Sequence, residues 1–111
     1  MSEVKMTQLQ FKQVAKTWIN NKLILSQKSN WYKIPYRKMS IVKIQDAFNG
    51  FLFNTANYSI VQLALLLKRN EALLENVLPI PSNPSYENSR HLLETLLNEA
   101  ETIINTYNLT V

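Results

Sequence analysis

Apolar residues recurring every three or four positions are the feature that most limits this fold. Over residues 84–107, Leu93, Leu96, Leu97, Ala100, Ile103, Ile104 and Tyr107 form one stripe. Glu87, His91, Glu94, Asn98, Glu101 and Asn105 lie opposite. The period is that of an α-helix, and its near-heptad spacing asks for a second helix across the stripe. The same period runs over residues 7–26 through Phe11, Val14, Ala15, Trp18, Ile19 and Leu23. Thr7 followed by Gln10 predicts a capping box at its start. Lys12, Lys16 and Lys22 are read as lying off the stripe. Residues 59–78 are helical and very apolar, and residues 63–67 have no polar side, so that turn is expected to be buried. Pro79, Pro81 and Pro84 end this helix and stiffen the following loop. Asn83 before Pro84 suits an N-cap and first helical turn.

Residues 40–55 admit two readings. Asn49-Gly50 between apolar residues is a hairpin signal. Yet Ile41, Ile44, Phe48, Phe51, Leu52 and Thr55 fall on a helical stripe, whereas strand alternation would bury Asp46. Ser40 is a suitable N-cap. The helix is favoured, with an α+β fold carrying a hairpin at 40–55 as the alternative. Gly50 inside a helix costs about 1 kcal/mol against Ala, and would allow another backbone to pack close.

Composition enters mainly as exclusion. The chain has 111 residues, one glycine and no cysteine. Phosphate-cradling Gly-rich loops, cysteine zinc sites, thiol redox pairs and disulfides cannot be written with it. The length suits one domain, residues 1–111. The start of the chain shows no signal-peptide pattern, and its longest apolar run falls far short of a membrane span, so a cytoplasmic location without a membrane span is expected.

Charge is distributed unevenly. Residues 1–50 hold nine Lys and Arg against Glu3 and Asp46, a net +7. Residues 51–111 hold three basic residues against six glutamates, a net −3. Such asymmetry points to an anionic partner for the basic half, or to attraction between the halves within the fold or between copies.

Three constellations are candidates for function. Trp31, Tyr32, Lys33, Ile34, Pro35, Tyr36, Arg37 and Lys38 are aromatic and basic. Pro35 is read as keeping residues 31–39 an extended connector or edge strand. Aromatic rings can stack on bases while cations meet phosphates. The same residues can anchor a protein partner or cover the core with their charged heads in water. Residues 59–78 also resemble a helix-turn-helix. Leu63, Ala64, Leu66 and Leu67 would then be buried, Lys68, Arg69 and Asn70 would form the turn, and Leu74 with Val77 or Leu78 would anchor the second helix. The usual turn glycine is lacking, and Glu71 and Glu75 would repel phosphates. Thirdly, Glu87, His91 and Glu94 share one helical face, which reads as solvated surface rather than a metal site or catalytic group.

Small, basic, cysteine-free helical bundles include the immunity proteins of pediocin-like bacteriocins, and the chain is similar to them in size, charge and helix count. The expectation is an all-α bundle of four main helices near 7–26, 40–55, 59–78 and 84–107. Its apolar faces look larger than one small chain needs, so a homo-oligomer is expected. The expected function is non-catalytic: an interaction or adaptor protein whose basic first half faces an anionic protein or nucleic-acid partner, with no cofactor and no metal. A helix-turn-helix regulator and an immunity-type bundle are the alternatives.

Overall fold

The computed structural model describes residues 6–28, 35–79 and 81–110, with the side chains of 25–28 and 35–38 left out. The fold is all-α. Its helices are α1 (Gln8–Lys28), α2 (Pro35–Phe53), α3 (Ile60–Arg69), α4 (Glu71–Asn76) and α5 (Tyr86–Thr106), with a 3-10 turn at Thr55–Asn57 between α2 and α3. No strand occurs among the described residues. Helix α5 packs against α3 along one side and against α1 along another, while α2 packs against α1 and α4.

Each apolar stripe goes inward. Phe11, Ala15, Trp18, Ile19 and Leu23 of α1 meet Ile41, Ile44, Phe48 and Phe51 of α2 in one core, with Leu63, Ala64 and Leu67 of α3. Leu93, Leu96, Leu97, Ala100, Ile103 and Ile104 complete it from α5. The α5 stripe is therefore consumed within one chain, apart from the half-exposed Tyr107, while in the 63–67 run Leu63, Ala64 and Leu67 are buried and Leu65 and Leu66 only partly so. Large exposed apolar side chains stand elsewhere, at Leu9, Met39 and Phe53 among others.

Several helix ends follow the expected chemistry. Gln10 N–H donates to Thr7 Oγ1 at 3.2 Å, and Thr7 N–H donates to Gln10 Oε1 at 2.9 Å, the reciprocal capping box. Ser59 and Gln62 repeat it at the start of α3, both bonds at 3.0 Å. At the other end of the molecule, residues 108–110 do not simply trail off. Asn108 takes φ 54°, and Leu109 N–H reaches the Ile104 carbonyl at 2.9 Å. This is a Schellman closure with asparagine in the left-handed position, and Leu109 packs against the core.

Four expectations are corrected. Residues 35–39 are helical, not extended, because Pro35 opens α2 instead of interrupting it. Proline is well suited to a first helical position, where its missing N–H costs nothing. Ser40 is thus no N-cap. It is buried inside α2, where Asn76 Nδ2 donates to its hydroxyl at 3.4 Å. The hairpin alternative at 40–55 is excluded, since Asn49 and Gly50 lie within α2 and no glycine has positive φ. What Gly50 admits is a side chain: a Cβ there would stand 2.7 Å from the Tyr58 hydroxyl. The Tyr58 ring then meets Phe51 edge-on at 5.5 Å.

The third correction divides residues 59–78 at Asn70. Its backbone N–H and its Nδ2 both donate to the Leu66 carbonyl, at 3.2 and 2.8 Å, so α3 ends there and α4 begins. The fourth moves the start of α5 from Pro84 to Tyr86. Asn83 Oδ1 accepts from Ser85 N–H at 2.9 Å and from Ser85 Oγ at 2.7 Å, which makes an asparagine turn ahead of the helix.

Candidate functional site

A cleft with a volume of about 520 Å³ lies between α1 and α5. Gln13, Val14, Thr17, Trp18, Asn21 and Lys22 line it from α1. Asn88, Ser89 and Leu92 line it from the first turns of α5. The spacing is what an α-helix dictates. Residues 14, 18 and 22 are one turn apart on α1, and 89 and 92 are neighbours on α5.

Its floor is a three-residue linkage between the two helices. The Trp18 indole N–H donates to the Ser89 carbonyl oxygen at 3.2 Å. The Lys22 ammonium donates to Ser89 Oγ, and stands 5.9 Å from the centre of the Trp18 ring. That is within cation–π range. All three side chains are buried, Lys22 to 9% exposure. Desolvation lowers the Lys22 pKa from its ordinary value.

Lys22 therefore lies on the inner face, contrary to its reading as an off-stripe lysine. The signal was present: Phe11, Ala15, Trp18 and Lys22 step by four, three and four along one helix. The lysine character of position 22 concealed it, because a long side chain lying along apolar surface is usually assigned by its charged end.

The electrostatics of the cleft are one-sided. Helix α1 carries Lys12, Lys16, Lys22 and Lys28 and no acid. No carboxylate is among the described residues lining the cleft. The ion pairs Lys68–Glu71 at 3.2 Å and Arg90–Glu94 at 3.0 Å are each local to one stretch of chain, and Lys12 and Lys16 take part in neither.

The other candidates fare differently. Trp31, Tyr32 and Lys33 lie outside the described residues. Tyr36, Arg37 and Lys38 belong to the first turn of α2, and their side chains lie outside the description too. At the α3–α4 turn, Lys68 is held by Glu71, Asn70 is held by the Leu66 carbonyl, and Arg69 is exposed. Leu63, Ala64, Leu67, Leu74, Val77 and Leu78 are buried as a helix-turn-helix would bury them, whereas Leu66, expected to be buried with them, is only partly so. Helix α4, however, has six residues and is about 9 Å long.

His91 is exposed. Among the described residues no three His, Asp or Glu side chains are grouped to hold a metal, and Glu94 accepts from Arg90 Nε. Arg90 Nη1 also donates to Tyr86 Oη at 3.0 Å, beside a smaller cleft of about 200 Å³ near Pro79 and Pro81. The Tyr86 hydroxyl and the Glu94 carboxylate both hold the Arg90 guanidinium in its charged form. No described helix is long and apolar enough to cross a membrane.

Compared with known proteins, the chain matches no family model, no curated protein and no solved structure.

Proposed function

We propose that this chain is a non-catalytic interaction protein that takes an acidic protein partner along α1, beside the α1–α5 cleft. The observation that carries the reading is α1 itself: four lysines and no acid along 21 residues, next to a cleft with no carboxylate among its described residues. Lys22 is buried, but Lys12 and Lys16 are partly exposed, and a surface of one sign steers and orients an acidic partner. A catalytic reading of Ser89 and Lys22 has less support. An acyl-transfer nucleophile needs amide donors beside it for the developing oxyanion, and the Ser89 N–H is given to the Ser85 carbonyl at 3.0 Å.

Self-association belongs to the same proposal. Phe53 is 84% exposed and Leu9 and Met39 are more than half exposed, an expensive use of apolar side chains on a lone small protein. Light scattering that shows a monomer at micromolar concentration would contradict it.

The binding reading is tested with two labelled polyanions, polyglutamate and duplex DNA, by fluorescence anisotropy. Polyglutamate should bind at about 50 mM salt and weaken several-fold by about 200 mM. Absence of binding at low salt would remove the reading. A clear preference for DNA would replace it with the helix-turn-helix reading of α3 and α4.

A further inference from the structure

Helix α2 carries two stripes on opposite sides. Ile41, Ile44, Phe48 and Phe51 are fully buried in the core. Met39, Val42, Asp46, Asn49 and Phe53 are exposed, and step by three, four, three and four residues. That alternation is the heptad seam by which one helix takes another. The water side of an amphipathic helix is ordinarily polar. Here it is apolar at both ends, with Phe53 the most exposed of the large apolar side chains on the described chain. The two polar members stand together in the middle, and neither Asp46 nor Asn49 makes a side-chain hydrogen bond or ion pair among the described residues.

The order of side chains along the seam decides what can lie on it. Two copies of α2 running parallel would set each Asp46 against its own image, and like charges repel. Two copies running antiparallel alternate the two kinds of seam position, so that residues three and four apart in the repeat face each other. One such register puts Val42 against Asp46 and Met39 against Asn49, which buries apolar groups beside polar ones. The register one heptad away puts Val42 against Phe53 and Asp46 against Asn49. Every layer is then matched. The Asn49 amide of each copy can donate to the Asp46 carboxylate of the other, and each contact occurs twice about the two-fold axis.

We propose that α2 is the face by which two copies of this chain associate, antiparallel, with Asp46 of each against Asn49 of the other and Val42 against Phe53 on either side. The inference rests on the self-association reading and assigns it a surface and a register. From Met39 to Phe53 the seam is about 21 Å long. So short a seam buries less than the roughly 1,600 Å² of a standard interface, and the expected dissociation constant is in the micromolar range.

The test is light scattering or sedimentation of the full chain over a concentration series, with circular dichroism to check the fold of each variant. Phe53→Glu places an acid in the outer layers without touching the core, and should weaken the dimer at least tenfold. Asn49→Asp sets carboxylate against carboxylate in both central layers, and should also weaken it at least tenfold at neutral pH. Adding Asp46→Asn to Asn49→Asp returns an amide opposite each carboxylate, and should recover the dimer. Asp46→Asn alone should change it by no more than a few-fold. Leu9→Glu, an equally drastic change at an exposed apolar residue of α1, should leave it intact.

A dimer that survives both Phe53→Glu and Asn49→Asp would overturn the α2 interface while self-association stands. Loss at Leu9→Glu alone would move the interface to α1. A dimer tightened by Asp46→Asn, or one that the double variant fails to recover, would overturn the antiparallel register. A monomer throughout the micromolar range would overturn the self-association reading and this interface together, in favour of cover by residues 1–5 or 29–34 of the same chain.

Discussion

Two regions of this molecule combine lysine with polar side chains on a helix, and they use them in opposite ways. At the α3–α4 turn, Lys68 meets Glu71 three residues on, and Asn70 meets Leu66 four residues back. Those contacts finish one helix and start the next, and they are complete within a few residues of chain. At the α1–α5 groove, Lys22 and Trp18 both reach Ser89, 67 and 71 residues away. Local polar contacts make helix ends. Long-range ones fasten two helices at a chosen separation and leave a groove with a defined floor. This is why the proposal rests on α1 and not on the segment that resembles a DNA-binding motif.

The contrast can be broken at either region. The largest expected effect is at Trp18. Trp18→Ala removes a buried ring and the indole bond to Ser89, and should cost about 3–5 kcal/mol in denaturant unfolding. A loss under about 1 kcal/mol would mean that α1 and α5 are not fastened there. Ser59→Ala probes the α3–α4 side, where the reciprocal bonds with Gln62 cap α3. It should cost about 1 kcal/mol, and helix content should fall only slightly.

A smaller effect is expected as a slope against pH. Burial lowers the folded-state pKa of Lys22 below its unfolded value. At neutral pH the folded protein therefore carries the full cost of keeping that ammonium buried. As pH rises through the folded pKa towards the unfolded one, the unfolded chain binds more protons than the folded one, and stability from this group increases. The stability difference between the native chain and Lys22→Met should shift in favour of the native chain over that window. An unchanged difference would place Lys22 in water. The smallest effect belongs to Lys68→Met. A partly exposed pair three residues apart is worth about 0.5 kcal/mol or less, and its removal should leave polyglutamate binding unaltered.

Much of the fold was legible in the sequence for a simple reason. Leu93 through Ile104 and Phe11 through Leu23 repeat at helical spacing, and burial rewards that period whatever the partner helix is. The Thr7–Gln10 and Ser59–Gln62 ends were legible at the first and passed over at the second, although both have the same spacing. The break at Asn70 was legible only in the helix-turn-helix reading, which set its turn at residues 68–70, and the boundaries at Pro35 and Tyr86 were not legible. Each depends on where one backbone hydrogen bond goes, and a proline or asparagine can open, close or precede a helix with the same residues around it.

The candidate site was legible only in part. Trp18 was placed on the inner stripe and Lys22 outside it, while the side chains drawing most interest stood at 31–38. Aromatic and basic residues adjacent in sequence attract notice. A tryptophan, a lysine and a serine drawn from positions 18, 22 and 89 do not, because their contact depends on how α1 and α5 pack. No local pattern encodes that separation.

The most direct measurement is a map of backbone amide shifts in 15N-labelled protein as polyglutamate is added. The account predicts that the largest changes fall on Lys12, Lys16, Thr17 and Asn21 of α1. Changes gathered instead on Lys68, Arg69, Asn70 and α4 would contradict it, and would move the binding surface to the α3–α4 turn.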